Sequence, residues 1–540
     1  MKKFVVIIGS AMALGALVGC LEQGTGSGNY KGPLFHYHFA GRANLGKDGT
    51  GTVLKEIDGL KETAALRGHF AQKLAAAMPG LWKADLPADA TPQAELLRPL
   101  IEDLTSAESV VEIRGPIGQA DTLIAVELSD ERAGLWDTNI AQLARAWKLG
   151  TPGPVTVEGV KGWGTRRSQS PSVLQVFRVA KWTVVGLGQD RSSLISSALQ
   201  TAGKSGRPIP ALTGILEVKA DLPGLKKWLP ILNRFSFPPV HLTMTGRGDA
   251  VRTEMRLMYG QKIPWKFEAW RFPTNLISEP LTSFTAAQGV RPILEKVEGL
   301  SALGVPLPNQ YCSWGLFHQY GHSSFAFPQP NASNTLSIVS RKFPEFMKRH
   351  FENPLGQFVF VPEKSELVWG GTLPGFSPTL AAAKGPDGEY VHCRLFPLVG
   401  KQVPPPPELY SQFAGRTNLL YYDWELSSNR VAIGRQLYQL RNIGDRRPPP
   451  SIDTPSQKWL EVIAPKLDNS VTEIVMSSPQ DLMVTRKSRV GLTGFELATL
   501  SVWIESPTFP ASIELPHMIP LNQLKANSGK PGGTTPPPKK

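Results

Sequence analysis

Short stretches of alternating apolar and polar residues recur along the chain, and many of them are followed by apolar residues at helical spacing. Phe35, Tyr37 and Phe39 alternate with histidines, which predicts a strand over residues 35–40. Leu66 and Leu74, with Phe70 between them, recur every four residues, as on one face of a helix. The pattern therefore predicts strands and helices in the same body.

Pairs of strands followed by a helix dominate the first half of the chain. Alternation is clearest over residues 240–257, where two strands flank Gly246-Arg247-Gly248-Asp249, a turn sequence. The other predicted elements of this half are helices over residues 95–104, 131–148 and 190–199, and strands over residues 109–113, 122–128, 173–179, 182–185, 215–220 and 265–269. Gly162-Trp163-Gly164 is assigned to a loop because glycine is depleted in strands.

The second half continues the pattern. Strands are predicted over residues 283–287, within 311–327, and over 419–425, 474–476 and 482–485, with a last strand or two over 495–504. Helices are predicted around Ile293, over residues 344–351 and around Leu437. Antiparallel hairpins interleaved with helices predict an α+β fold, with antiparallel sheets covered by helices.

A short sequence echo indicates two related domains. Residues 39–45 (FAGRANL) match residues 413–419 (FAGRTNL) at all but one position, although chance is an alternative for so short a window. Pro273 and Pro280 bracket a polar loop between the halves. We therefore predict an N-terminal domain over residues 30–275 and a C-terminal domain over 281–520. The Pro- and Lys-rich residues 527–540 are predicted to be a disordered tail.

The N-terminus has the layout of an export signal. Lys2 and Lys3 precede an apolar run that ends in Leu17-Val18-Gly19-Cys20, with small residues near the end. The run is shorter than the roughly 18 residues typical of a membrane span. The segment resembles the signal peptides of bacterial lipoproteins, in which the cysteine that matches Cys20 is lipidated and becomes the first residue. A plain secretory signal and a retained membrane anchor are the alternatives.

That resemblance implies a signal peptide over residues 1–19 and a lipidated, Gly-rich tether over residues 20–29. The acylated Cys20 would hold the protein on a lipid bilayer. Leu21 and Glu22 follow it in place of the aspartate that favours the inner membrane in such lipoproteins, so the outer membrane is expected. The body loosely resembles exported bacterial proteins built of repeated strand–helix units, a likeness that implies no activity.

The net charge is +13, and +11 once Lys2 and Lys3 leave with the signal. This excess favours anionic partners such as lipid headgroups, acidic polysaccharide or wall polymers. An envelope protein is a further possible partner. An exported chain rarely meets nucleic acid, which we exclude as a partner. The basic residues are scattered, so a solvated basic surface is the alternative.

Two cysteines remain besides Cys20. Cys312 and Cys393 could form a disulfide in an oxidising compartment, or could be two buried free thiols.

Candidate metal ligands and cofactor motifs are incomplete. His36 and His38 share a strand face, and His318 and His322 lie four residues apart, but neither pair has an evident third ligand. His350 is expected to be a core residue. The weaker motifs are Gly186-Leu187-Gly188, whose third glycine is replaced by Arg191, and Gly203-Lys204-Ser205, which fits a helix end better than a phosphate loop. We predict no metal and no cofactor.

Asp423 and Glu425 are the one carboxylate pair with a catalytic interpretation. Spaced two apart on a strand, they share a face, and a glycosidase needs two carboxyl groups about 5–10 Å apart. The alternative is an exposed strand face opposite buried Tyr422 and Trp424. Trp163 in its predicted Gly-rich loop could stack on a sugar.

The sequence is compatible with three functions. The first is a lipid-anchored envelope protein that acts as a non-enzymatic binding or assembly module. The second is a hydrolase or transferase of wall or surface polysaccharide that uses Asp423 or Glu425. The third is a carrier of lipid or another ligand, which predicts an apolar cavity between sheet and helices.

Overall fold

The computed structural model describes residues 31–81, 91–115, 120–166, 172–189, 193–226, 237–263, 265–295, 303–316, 323–350, 357–370, 378–396, 403–444 and 453–510. The strands in chain order are β1 Phe35–Phe39, β2 Ser109–Arg114, β3 Asp121–Glu127, β4 Gly153–Val157, β5 Val160–Arg166, β6 Ser172–Val179, β7 Trp182–Gln189, β8 Leu216–Ala220, β9 Val240–Arg247, β10 Ala250–Met258, β11 Leu281–Gln288, β12 Gln310–Leu316, β13 Ser324–Pro328, β14 Gln357–Val361, β15 Glu366–Gly370, β16 Thr379–Gly385, β17 Gly388–Arg394, β18 Leu419–Leu426, β19 Asn469–Ser478 and β20 Asp481–Ser488.

The α-helices in chain order are α1 Thr52–Asp58, α2 Lys61–Leu81, α3 Thr91–Leu104, α4 Asp130–Ala146, α5 Ser193–Ser205, α6 Leu222–Leu225, α7 Arg291–Leu294, α8 Ala332–His350, α9 Glu408–Ser411, α10 Ser427–Gly444, α11 Pro455–Ile463 and α12 Gly494–Glu505. Helices and antiparallel strands thus make up the same body, which confirms the predicted α+β class.

Contacts divide the described chain into two compact units. The first comprises residues up to 263, 426–472 and 476–510, and the second comprises residues 265–425 and 473–475. The predicted domains are continuous ranges, whereas the first unit is assembled from separate segments because α10, α11, α12 and β20 group with the N-terminal half.

Antiparallel pairing orders the strands of the first unit as β4-β5-β6-β7-β3-β2-β1-β8-β9-β10-β20, and β20 forms a hairpin with β19. Helices cover both faces of part of this sheet. Successive residues of a strand point to opposite faces, so Leu123 and Ala125 of β3 pack against α5, whereas Ile124 faces α3 and α4.

The second unit repeats a strand order found in the first. Its strands pair as β18-β11-β12-β13-β17-β16-β15-β14. In the first unit the corresponding order is β8-β1-β2-β3-β7-β6-β5-β4. Adding ten to each strand number converts one order into the other. The helices match as well, since α4 lies between β3 and β4 along the chain and α8 lies between β13 and β14.

The sequence echo does not fall at equivalent places of this repeat. Residues 39–45 follow β1, whereas residues 413–419 lead into β18, the counterpart of β8. The two series are therefore related by the order of their strands rather than by the echo. A sheet tolerates many side chains provided that the buried face stays apolar, so topology can recur with little sequence likeness.

Several predicted elements differ from the structure. Residues 495–504 form helix α12 instead of a strand, because Thr493 and Glu496 make a reciprocal capping box at its start. Residues 265–269 form no strand, and the helix predicted from residue 344 begins at Ala332. Strands β14 to β17 were not predicted, and Gly162 and Gly164 lie inside strand β5.

Candidate functional site

Three histidines and three glutamates form a histidine–glutamate network on one face of the first unit's sheet. Its members are His36, His38, His241, Glu108, Glu112 and Glu217. The strand register brings them together, because His36 of β1 lies opposite Glu112 of β2 and His38 lies opposite Glu217 of β8. Directly opposite residues share a face.

Each histidine of this network contacts a carboxylate. His36 Nδ1 lies 3.0 Å from Glu112 Oε2, and its Nε2 lies 3.6 Å from Glu217 Oε2. His38 Nε2 is 3.2 Å from Glu108, and His241 Nε2 is 2.8 Å from Glu217. The two candidate metal ligands His36 and His38 are therefore each occupied by a glutamate.

Permanent cations neutralise the same three glutamates. Arg207 pairs with Glu108, Arg114 pairs with Glu112, and Lys219 Nζ lies 2.8 Å from Glu217. Within the described ranges, no group of three or more His, Cys, Asp or Glu residues could hold a metal ion. The network is thus a set of ion pairs on a sheet face rather than a set of open ligands.

The balance of burial and pairing lowers the pKa of all three carboxyl groups. Burial alone raises the pKa of Glu217, but hydrogen bonds from Lys219 and His241 outweigh it, so the net pKa lies below the usual value. The pKa values of Glu108 and Glu112 are lowered in the same way by their histidine and arginine partners, against burial.

We expect Glu217→Gln to lower the free energy of unfolding by about 1.5–3 kcal/mol at pH 7, because hydrogen bonds to charged groups contribute that much. A carboxyl group with a lowered folded pKa stabilises the fold above its unfolded pKa and loses that effect as the pH falls through the folded value. The difference between the variant and the wild type should therefore persist down to about pH 4.5 and shrink below it. Urea unfolding at pH 7, 5, 4 and 3 measures it.

Glu254→Gln is the matched control, since Glu254 lies in the same sheet but is 43% exposed and pairs only with Arg252 among the described salt bridges. Exposed pairs contribute at most about 1 kcal/mol. Equal losses in the two variants would contradict a special role for the network.

Asp423 and Glu425 are buried on strand β18, with 7% and 2% of their surface exposed. Thr285 Oγ1 donates a hydrogen bond of 2.5 Å to Asp423 Oδ1, and Ser283 lies opposite Glu425 on β11. The prediction that they form an exposed strand face is wrong, since β11 brings hydroxyl groups alongside them and both carboxyl groups are enclosed. On the opposite face, burial raises the pKa of Tyr422 to about 12, assisted by the nearby charges of Glu473 and Asp423.

Cys312 and Cys393 are both buried and both free. Cys312 of β12 lies in line with Ala326 and His392, whereas Cys393 lies in line with Phe325. The two thiols therefore point to opposite faces of the sheet and are separated by strand β13, so the alternative of two buried free thiols holds and the disulfide is not formed. Burial raises the pKa of each thiol to about 12, which keeps both protonated.

An apolar cavity of about 50 Å³ lies between helices α3 and α4 and the sheet of the first unit. It is lined by Leu97, Leu100, Ile101, Leu104, Ile124, Trp136, Ile140, Leu143, Ala144, Trp147, Leu149, Leu174 and Val185, with no polar lining surface. None of these side chains is an acid, a base or a nucleophile.

The remaining candidates have structural roles or fall outside the described residues. Trp163 lies in strand β5, and its Nε1 donates a hydrogen bond to Asp137. It is therefore not in the Gly-rich loop that was predicted to let it stack on a sugar. Gly186 and Gly188 lie in β7, where an added Cβ would meet Ile195 and the carboxylate of Asp121. Ser205 ends helix α5. Cys20, the tether, His318, His322 and residues 527–540 lie outside the described residues, and His350 ends α8.

His36 and His38 were evident from the sequence, whereas their glutamate partners were not. Glu112 alternates with buried Val111 and Ile113, and that alternation was the available signal for a carboxylate on the polar face. The apolar cavity was named only as a consequence of the carrier hypothesis, because helical stripes predict burial but not a gap in packing.

Among the helices in the described part of the chain, none is long and apolar enough to cross a membrane.

Comparisons with known proteins identify no family. No family model matches the chain, and no curated protein matches it. Similar solved structures include crystal form I of TP0453, which is 11% identical with a TM-score of 0.22 and aligns over 43% of this chain and 77% of that chain. Crystal form III of TP0453 is 10% identical with a TM-score of 0.22, over 47% and 84% of the two chains. Likeness at this level carries no argument about fold or function.

Proposed function

We propose that this protein is a lipid-anchored component of the bacterial cell envelope that acts as a non-enzymatic binding module. The observation that carries the binding part is the cavity under α3 and α4. A site whose lining is entirely apolar can accept a ligand by burying its surface, but it supplies no group for acid–base or nucleophilic chemistry.

The polysaccharide hydrolase is supported less well. Its two carboxylates, Asp423 and Glu425, are enclosed, and Asp423 already accepts a hydrogen bond from Thr285. A glycosidase needs both carboxyl groups to flank a bound sugar. The glutamates of the histidine–glutamate network are likewise occupied by histidines and cations.

The anchor in this proposal is Cys20, preceded by Leu17-Val18-Gly19. Acyl chains on Cys20 would insert into the bilayer at about 0.8 kcal/mol for each buried methylene, which makes attachment by two or three chains stable. The outer membrane is the proposed location. The positive charge of the chain fits an acidic envelope protein or an anionic polysaccharide as a further partner.

Cys20→Ala is expected to abolish incorporation of an alkynyl palmitate and to release the protein from the membrane fraction, because the thioether can form only on that thiol. Cys393→Ala is the matched control: it removes a buried cysteine and should label like the wild type. Labelling of Cys20→Ala at the wild-type level would show that the lipoprotein proposal is wrong.

In-cell crosslinking with mass spectrometry separates the two functions. Recovery of an envelope protein near one-to-one supports the binding module. Recovery of glycan fragments with the wild type would favour the hydrolase instead, provided that folded Asp423→Asn and Glu425→Gln variants no longer recover them.

A further inference from the structure

We infer that the cavity under α3 and α4 binds the end of a straight hydrocarbon chain. This inference rests on the proposed binding function and names its ligand, but it does not depend on the lipid anchor at Cys20.

The lining selects the chemistry of the ligand. Four residues of α3, four of α4 and three of the sheet face one another, and none of them presents a polar atom to the cavity. Burial of any polar atom there would leave it without a hydrogen bond, at a cost in affinity. The part of the ligand inside the cavity is therefore hydrocarbon.

The volume of the cavity limits the shape of the ligand. An engineered apolar cavity of about 150 Å³ in another protein holds a benzene ring. The present cavity, at about 50 Å³, is too small for a ring and suits the narrow end of an alkyl chain.

Hydrogen bonds between α3 and α4 hold the two helices at a fixed spacing. Asp103 Oδ2 of α3 accepts a hydrogen bond from Arg132 Nη2 and another from Trp136 Nε1, each 2.8 Å long. Asn139 Nδ2 of α4 donates to the carbonyl oxygen of Leu96 at 2.9 Å. Because these bonds fix the helix spacing, the packing gap between the helices is a stable feature of the fold.

The mouth of the cavity is identified by exposure. Every lining residue is buried except Leu149, which is partly exposed just beyond the end of α4. The chain therefore enters the cavity beside Leu149.

Two tryptophans in the lining make the site measurable. Trp136 and Trp147 should be quenched by a bromine atom that enters the cavity, because bromine is about as large as a methyl group and quenches tryptophan on contact. With the full mature chain, 16-bromostearate should quench in a saturable manner and more strongly than 5-bromostearate, because the chain enters tail first. Trp136→Phe should remove part of the saturable signal.

Ala144→Leu fills the cavity and is expected to weaken binding of 16-bromostearate at least tenfold, since each excluded methylene costs about a factor of four in affinity. The matched control is Ala198→Leu on α5, a buried alanine packed on the opposite face of the same sheet. It should bind within about twofold of the wild type, by the same area argument. If Ala144→Leu fails to fold by circular dichroism, Ala144→Val and the Trp136→Phe measurement provide the test.

The headgroup of such a ligand stays outside the cavity. Stearic acid and octadecanol should therefore compete equally well with the brominated probe. Native mass spectrometry of the protein extracted from membranes then distinguishes a free fatty acid from a phospholipid, either of which supports the inference.

Unsaturable quenching, equal quenching by the two probes, or unchanged binding in Ala144→Leu would overturn the inference. Tight displacement by cholesterol, a ring ligand, would also overturn it. None of these outcomes bears on labelling at Cys20 or on crosslinked partners, so failure here is distinguishable from failure of the proposed function.

Discussion

Arg486→Met is expected to lower the free energy of unfolding of the first unit by about 3–5 kcal/mol, because it leaves the buried carboxylate of Glu496 without its cation. The side chains of Arg486 and Glu496 are 7% and 4% exposed, and the Nη1–Oε2 distance is 2.6 Å. Arg486 Nε also donates to Thr472 Oγ1, and Glu496 Oε2 accepts from the backbone of Thr493. The pair thus joins strand β20 to the start of helix α12.

A double-mutant cycle tests this expectation by urea unfolding. Arg486→Met with Glu496→Leu removes both charges and should recover much of the loss, since replacing a buried pair with apolar residues is often neutral. Arg252→Met is the matched control, because Arg252 lies on the neighbouring strand β10 in a pair with 39% and 43% exposed side chains. A loss as large in Arg252→Met as in Arg486→Met would contradict the argument.

The second unit should lose stability as the pH falls from about 6.5 to about 4, by about 3 kcal/mol in total. The cause is His392, whose pKa is lowered to about 4, first by burial and second by the charge of Arg394. The unfolded chain binds a proton at this histidine near pH 6.5, whereas the folded chain does not until about pH 4. Stability is therefore fully present above pH 6.5 and constant again below pH 4.

His392→Phe should remove this slope. The ring stacks on Trp314 at a centroid distance of 5.3 Å, a contact that Phe can keep, and His392 Nε2 has no hydrogen-bond partner among the described residues. Unfolding free energies at pH 7, 6, 5 and 4 give the measurement. His241→Gln removes a more exposed histidine of the first unit and should leave the slope of the second unit in place. A wild-type profile that is flat over this range would refute the assignment to His392.

Helix α12 shows how a local signal can be read in two ways. The apolar residues of 495–504 are spread around all sides rather than along one stripe, so periodicity alone did not separate a buried strand from a buried helix. The deciding signal was local after all: Thr493 and Glu496 have the spacing of a capping box, and the structure forms both of its bonds.

Strands β14 to β17 show the limit of the alternation rule. Strand β16 carries Leu380-Ala381-Ala382-Ala383, a run of good helix formers, yet it pairs with β17 along its whole length. Pairing with β15 and β17 and packing against α8 overrode that propensity. Local composition could not reveal these partners.

What the sequence alone determined is local. Alternation and turn residues were sufficient for β1, the β9–β10 hairpin and the α+β class, because a side chain's direction depends on its own backbone. The tertiary structure decided everything that depends on strand order. It placed Glu112 beside His36, enclosed Asp423, set Cys312 and Cys393 on opposite faces, and left the cavity between α3 and α4. Those contacts join residues far apart along the chain, and no local period encodes which strands become neighbours.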